Sequence, residues 1–465
     1  MLIRCPTIRR RATACLNTAD HSQDGVSLQT GAALPNCSAA AIYSLYDRGM
    51  TPNLSRRSPS IFIACLLTFC LIGCANRAAV TSTAAPPSSK RVILVSIDGL
   101  PASMLGDGTL PTLDRLAAEG VHATWMTPSY PTLTFPNHYT LVTGLRPDRH
   151  GIVHNNMLDA SLGRFISKDS SADDGRWWGG EPIWATLQKQ GGIAATMFWP
   201  GSRAEIAGQR PRYSRAFDKT VSPAARVDQA LAWLDLPHGQ RPQLVTLYFD
   251  QYDIAAHESS TDAPAARTAL REIDAALAIL QDGLRARGFE NDTDLIVLSD
   301  HGMADVPREH IKLLDERLDA SAYDIVWWGT FIGIAPRPGQ IEAVERAFLG
   351  QQDHYRCWRK SELPPAWHYG SHPRIPPIIC QSDIGWRVQG RANQQWPQPI
   401  RGEHGFAAED PAMRAVFAAR GPSFRIGVVL PPFDNVHVYP LLAHLLEVQP
   451  AANDGDLSAT AAALR

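Results

Sequence analysis

Three apolar runs set the frame of this chain. They are Val92-Ile93-Leu94-Val95-Ser96-Ile97, Leu244-Val245-Thr246-Leu247-Tyr248-Phe249 and Leu295-Ile296-Val297-Leu298-Ser299. Short runs rich in β-branched residues and without polar alternation read as strands buried on both faces, as in a parallel sheet. Between them the period lengthens to that of a helix. Residues 110–120 have helical spacing, with Pro111 near the start and Gly120 at the end. Residues 267–287 place Leu270, Ile273, Leu277, Leu280 and Leu284 on one stripe and stop at Gly288, which predicts a long amphipathic helix. The alternation from Lys90 onward predicts an α/β fold: a mostly parallel central sheet with helices on both faces. No internal repeat interrupts it.

Two regions depart from this pattern. Residues 336–401 are rich in Pro, Trp, His and Gln and lack long periodic runs. They are expected to form an insertion over the carboxyl edge of the sheet, with a short helix at Ile341–Phe348 and a stapled loop. Near the amino terminus, Arg56-Arg57 precede an apolar stretch at residues 61–73, shorter than the ~20 residues of a spanning helix. Its end, Leu71-Ile72-Gly73-Cys74, is similar to a bacterial lipobox, in which Cys74 carries the lipid. The expected organisation is an over-extended start at 1–49, a lipoprotein signal at 50–74 and a flexible tether at 75–89. The main domain follows at 90–450, with a tail at 451–465. This organisation places the protein on the periplasmic face of a bacterial membrane, held by the lipid.

Composition adds three limits. A chain of 465 residues can form one large α/β domain or two smaller ones. A net charge of −2 without a long basic block argues against nucleic-acid polymers and anionic membrane surfaces as main partners. A small anionic substrate stays compatible, because a metal supplies positive charge locally. Six of the eight cysteines fall in the leader and signal, leaving Cys357 and Cys380. In an oxidising compartment those two predict one disulfide.

The apolar runs end in residues that carry chemistry. Asp98-Gly99 follows the first, Asp253 and His257 the second, and Asp300-His301-Gly302 the third; His404 stands in Gly402-Glu403-His404-Gly405. In open α/β sheets, ligands bind where the carboxyl ends of the strands meet, so gathered carboxylates and imidazoles there predict a metal site. Asp253 and His257, four apart, share one face of a helical turn; Asp250 competes with Asp253. Gly302 permits a sharp turn behind Asp300-His301. His368 and His372 are rivals of His404. Thr134, two residues before Pro136, fits either a helix N-cap or a hydroxyl at the positive end of a helix dipole, where a phosphate or alkoxide is favoured.

Six segments in order resemble the nucleotide pyrophosphatase/phosphodiesterase family of the alkaline phosphatase superfamily, with bacterial, Xanthomonas-type members the nearest likeness. They are Ile97-Asp98-Gly99, Thr134-Phe135-Pro136-Asn137-His138, Gly151-Ile152-Val153-His154-Asn155, Asp253…His257, Asp300-His301-Gly302-Met303 and His404-Gly405. The resemblance implies an alkaline-phosphatase-like sheet and two Zn2+ ions. Asp253, His257 and His404 would hold one ion. Asp98, Asp300 and His301 would hold the other, with Thr134 on it as nucleophile. Asn155 would bind a phosphoryl oxygen, and Phe135, with Tyr248, would border the nucleobase. The implied reaction is hydrolysis of nucleotides and phosphodiesters to nucleoside monophosphates through a phospho-threonine. The alternatives are a phosphomonoesterase of the same superfamily and a non-catalytic surface lipoprotein. Glu258-Ser259-Ser260 after His257, and Phe406-Ala407-Ala408 after Gly405, depart from many relatives at the pocket rim.

Overall fold

The computed structural model describes residues 90–393 and 399–465. The proposed start, signal, tether and lipidated Cys74 lie outside the described residues. The three apolar runs become adjacent strands, Arg91–Ile97, Leu244–Phe249 and Thr293–Leu298, with Arg91–Ile97 between the other two and parallel to both. They form the centre of an eight-stranded sheet. On one side it continues through Ala194–Met197 to Tyr213–Arg215, and on the other through Phe417–Arg420 and Val121–Ala123 to Val428–Leu430. Phe417–Arg420 alone runs against the rest, so the sheet is mostly parallel as expected.

Side chains alternate along a strand, and here the alternation feeds two cores. Ile93, Val95 and Ile97 pack into one, with helices Pro111–Ala118, Pro223–Leu234 and Pro264–Ala286. Val92 and Leu94 point into the other, with helices Thr134–Thr143, Ile183–Lys189 and Val438–Leu445. All five strand residues are fully buried. Full burial of such side chains is worth about 1.5–3 kcal/mol each, which explains why these runs carry no polar face.

The region expected as a stapled loop is a second sheet. Tyr323–Trp327, Phe331–Pro336, Ile378–Ser382, Tyr355–Arg359 and Gly350–Gln351 form five antiparallel strands in that spatial order, with helix Ile341–Phe348 where expected. The excursion therefore begins at Tyr323 rather than residue 336. Strands this short, interrupted by Pro and turns, leave no long periodic run to detect. Cys357 and Cys380 are directly opposite on neighbouring strands and are disulfide-bonded. The sheet meets the carboxyl edge of the main one: Thr330 donates its hydroxyl to the His404 carbonyl at 2.5 Å, and Trp327 stacks on the His154 ring at 4.5 Å.

The tail also differs from expectation. The Arg146 N–H donates to Asp454 at 3.0 Å, Arg465 N–H donates to the Ser423 carbonyl at 3.0 Å, and Ala463 is fully buried. Residues 451–465 thus complete the domain. The chain enters at the other end of the sheet from its chemistry, with Arg91 beside Thr293 at the amino ends of the central strands. Among the described residues, no helix is long and apolar enough to cross a membrane.

Candidate active site

Each expected residue arrives on a different element. Asp98 follows strand Arg91–Ile97, anchored by its N–H to the Phe249 carbonyl (2.9 Å). Gly99 takes a left-handed turn at φ +72°, and its N–H donates to Asp300 Oδ1 at 3.1 Å. Asp300 and His301 follow Thr293–Leu298. Gly302 serves there for a different reason than expected: its φ is not left-handed, but a Cβ would lie 2.0 Å from the Ala412 carbonyl oxygen. Asp253 and His257 lie on helix Gln251–Glu258, and His404 follows strand Ile400–Glu403.

The fold brings these side chains together. One ligand atom each from Asp253, His257 and His404 lie within 4.8 Å of one another, as do those of Asp98, Asp253 and His301. Asp253 therefore belongs to both groups. Its Oδ1 is 3.4 Å from His257 Nε2 and 3.6 Å from His404 Nε2. His301 Nε2 is 3.4 Å from Asp98 Oδ1 and 3.1 Å from Asp300 Oδ2. The His301 and His404 rings stack at 3.8 Å.

The imidazoles share one orientation. Nδ1 of His257 faces the Gly402 carbonyl at 2.7 Å, that of His301 the Gly302 carbonyl at 2.9 Å, and that of His404 the Thr132 carbonyl at 2.9 Å. A carbonyl only accepts, so Nδ1 of His301 and His404 carries the hydrogen and Nε2 offers a lone pair to the centre. Nδ1 of His257 also lies 3.2 Å from an Arg401 guanidinium nitrogen, and the shorter contact, to the Gly402 carbonyl, favours the same orientation. Among the described residues, Asp98 Oδ1, Asp253 Oδ1 and Asp300 Oδ2 are buried without a hydrogen bond. Buried carboxylate oxygens left this way are costly unless a cation satisfies them. Three such oxygens facing three imidazole nitrogens fit a pair of divalent cations with a taste for mixed N and O ligands.

Charge in the cage is unbalanced. Burial pushes the Asp98 carboxyl well above the usual carboxylate range, and Asp300 and Asp253 push it the same way. Burial also raises Asp253, against the pull of His257 and His301. For Asp300 burial again favours the neutral form, but His301 and His138 outweigh it and hold the group well below the usual range. Burial, then His301 and His257, push His404 down.

Thr134 is the first residue of its helix; the cap is Leu133, whose side chain makes no capping bond. The N-cap alternative therefore falls away. The Thr134 hydroxyl faces the cage, 3.4 Å from His301 Nε2. The Phe135 N–H donates to Asn155 Oδ1 at 2.9 Å, which leaves the amide's Nδ2 as its remaining donor. Phe135 itself is part-buried, about 6.1 Å from both Phe165 and Trp178.

Three competitors fall away, two by their partners and one by its exposure. Asp250 is ion-paired with Arg226 at 2.7 Å. His368 is exposed, and His372 Nδ1 accepts from the Arg374 N–H at 3.2 Å. Tyr248 needs correction as a nucleobase contact: its hydroxyl donates to Asp98 Oδ2 at 2.5 Å, so its polar end serves a cage carboxylate. Beneath the cage lie two residues to which the sequence reading gave no role, Ser96 and His138. Their signal was available. Helix Thr134–Thr143 is almost wholly buried, yet it carries Asn137, His138, Thr140 and Thr143, and buried polar groups need partners.

Comparison with known proteins points one way. Residues 92–407 match the family described as type I phosphodiesterase / nucleotide pyrophosphatase. An uncharacterized pyrophosphatase/phosphodiesterase of Schizosaccharomyces pombe is 35% identical over 380 residues, 78% of this chain and 78% of that protein. Ectonucleotide pyrophosphatase/phosphodiesterase family member 3 of Rattus norvegicus is 36% identical over 383 residues, 78% of this chain and 43% of that protein. A venom phosphodiesterase of Crotalus durissus collilineatus is 34% identical over 380 residues, covering 78% and 45%. The chain thus spans less than half the length of the rat and snake proteins. Among solved structures, murine ectonucleotide pyrophosphatase/phosphodiesterase 5 superposes with a TM-score of 0.77 at 29% identity, covering 81% of this chain and 100% of that one. That structure is of an inactive threonine-to-alanine variant in complex with AMP.

Proposed function

We propose, given that the chain belongs to the type I phosphodiesterase/nucleotide pyrophosphatase family and is a hydrolase of phosphoric ester bonds, that it cleaves nucleotides and related phosphodiesters to nucleoside monophosphates. The observation that carries this reading is the Thr134 hydroxyl at a helix N-terminus, 3.4 Å from an imidazole of the cage. The helix end favours an incoming phosphoryl group.

Asp253, His257 and His404 would hold one Zn2+, and Asp98, Asp300 and His301 the other. When bound, the two ions supply Lewis acidity and lower the pKa of the threonine hydroxyl. Thr134 Oγ1 then attacks phosphorus as the bond to the leaving oxygen breaks, giving a phospho-threonine that water hydrolyses. Asn155, held by the Phe135 N–H, presents Nδ2 to a phosphoryl oxygen. Phe135 offers its ring to the base. The AMP bound by the murine neighbour supports a nucleoside monophosphate as product.

The test compares an aryl nucleotide diester with an aryl phosphate, alongside metal analysis of the purified protein. We expect two zinc ions per chain, a clear preference for the diester, and a loss on the order of a thousand-fold or more in Thr134→Ala. Preference for the monoester would make it a phosphomonoesterase, and unchanged turnover in Thr134→Ala would remove the covalent step. For location, we propose export and lipidation at Cys74. Cys74→Ala should move the protein from the membrane to the soluble fraction.

A further inference from the structure

The Ser96–His138 pair under the cage carries a role that none of the expected site residues fills. His138 is fully buried, and so is Ser96. Nδ1 of His138 bonds the Thr134 carbonyl at 2.9 Å and lies 3.1 Å from Asp300 Oδ2. Both neighbours are acceptors, so Nδ1 carries the hydrogen. The hydrogen bond goes to the carbonyl, and Asp300 Oδ2 takes the electrostatic attraction while accepting no hydrogen bond. On the other side of the ring, Nε2 is 2.8 Å from the Ser96 hydroxyl. The ring's orientation is fixed further by edge contacts with Trp199 at 5.1 Å and Tyr248 at 4.9 Å, and Trp199 Nε1 donates to the His138 carbonyl at 3.1 Å.

One imidazole therefore touches the first turn of the nucleophile's helix, a cage carboxylate and the strand that leads into Asp98. We infer that His138 is a positioning residue, which fixes the Thr134 hydroxyl relative to Asp300 and keeps Asp300 Oδ2 facing the metal. This inference rests on the two-zinc reading of the site. Ser96 sets the ring by occupying Nε2, so that Nδ1 faces the acceptors. Residues that orient metal ligands from behind are typically worth about 10–100-fold in metal affinity or activity.

The test uses a pair of substitutions that differ in where they keep a donor. Asn carries its amide near the position of Nδ1, whereas Gln carries it near Nε2. His138→Asn should retain most of the zinc affinity and kcat. His138→Gln should bind zinc about 10–100-fold more weakly in a chelator competition, with kcat reduced similarly and KM little changed. Ser96→Ala removes only a hydroxyl and should show a several-fold loss of the same kind, which guards against a Gln variant that fails to fold.

Three outcomes overturn the inference. The first is wild-type zinc affinity and kcat in both His138→Gln and Ser96→Ala. The second is equal losses in His138→Asn and His138→Gln in step with a drop in melting temperature, the mark of mere packing. The third is a wild-type chain that binds no metal, which brings down the two-zinc reading itself. Wild-type binding of two zinc ions together with the first or the second outcome brings down the positioning role alone.

Discussion

The cage and the disulfide-bearing sheet are neighbours held by opposite means. The five-stranded sheet packs Ile332, Ile334, Val344, Phe348 and Ile378 around the Cys357–Cys380 bond, with each of these side chains nearly or fully buried. The cage buries Asp98, Asp300 and His301 just as deeply, yet leaves three carboxylate oxygens without a hydrogen bond among the described residues. Apolar burial stabilises the first region on its own. The second stores unfavourable electrostatics that only a cation relieves. Stability and function are thus kept in adjacent but separable places.

The largest expected break in that comparison is Asp253→Asn. Asp253 stands in both groups of ligand atoms, so the substitution should cut turnover by about a thousand-fold or more, on the scale of losing a member of a concerted site. Burial favours the neutral form of Asp253, so the metal-free variant should melt no lower than metal-free wild type. A clear fall in the metal-free melting temperature would show that the cage supports the fold. Replacing Cys357 and Cys380 together by Ala should do the reverse. Their separation of 23 residues gives a closed loop worth about 3 kcal/mol. Denaturant titration should register that loss, while kcat stays within a few-fold of wild type.

The last break shows only as pH falls, and lies against the nucleophile's helix. His150 is fully buried, with Nδ1 accepting from the Ile152 N–H at 3.1 Å and Nε2 3.0 Å from the Thr140 hydroxyl. Burial pushes it down from 6.5 to about 3. Its folded value is below its unfolded one, so protons favour the unfolded chain. The stability it contributes is full above about pH 6.5 and is lost as pH falls toward about 3, at up to ~1.4 kcal/mol per unit. His150→Gln should flatten the fall in stability across that window by close to one proton. An unchanged slope would mean that His150 takes up no proton on unfolding there.

Much of this was legible along the chain because burial writes itself as periodicity. The run 244–249 is the strand Leu244–Phe249 residue for residue, and the stripe from Leu270 to Leu284 lies in the helix Pro264–Ala286. Asp98 and Asp300-His301 were visible because they break an apolar run at its end; Asp253, His257 and His404 were found through their four-residue spacing and the family resemblance. The five-stranded sheet was not, since strands of two to six residues with intervening Pro lack a period to read. Ser96, and the actual partner of Tyr248, were hidden for another reason. Ser96 and Tyr248 sit inside strands, where a single polar atom looks like tolerated filler until the fold shows that it meets His138 or Asp98.

The first strand also separates two ends of the domain. The chain joins at Arg91, while Asp98 stands seven residues on, roughly 20 Å away at about 3.3 Å per residue. A bead, a chip surface or a carrier joined directly at Lys90 is therefore joined at the end of the sheet away from the cage. A preparation immobilised there should keep the substrate access of the free protein, which matched turnover of the bound and free forms would check.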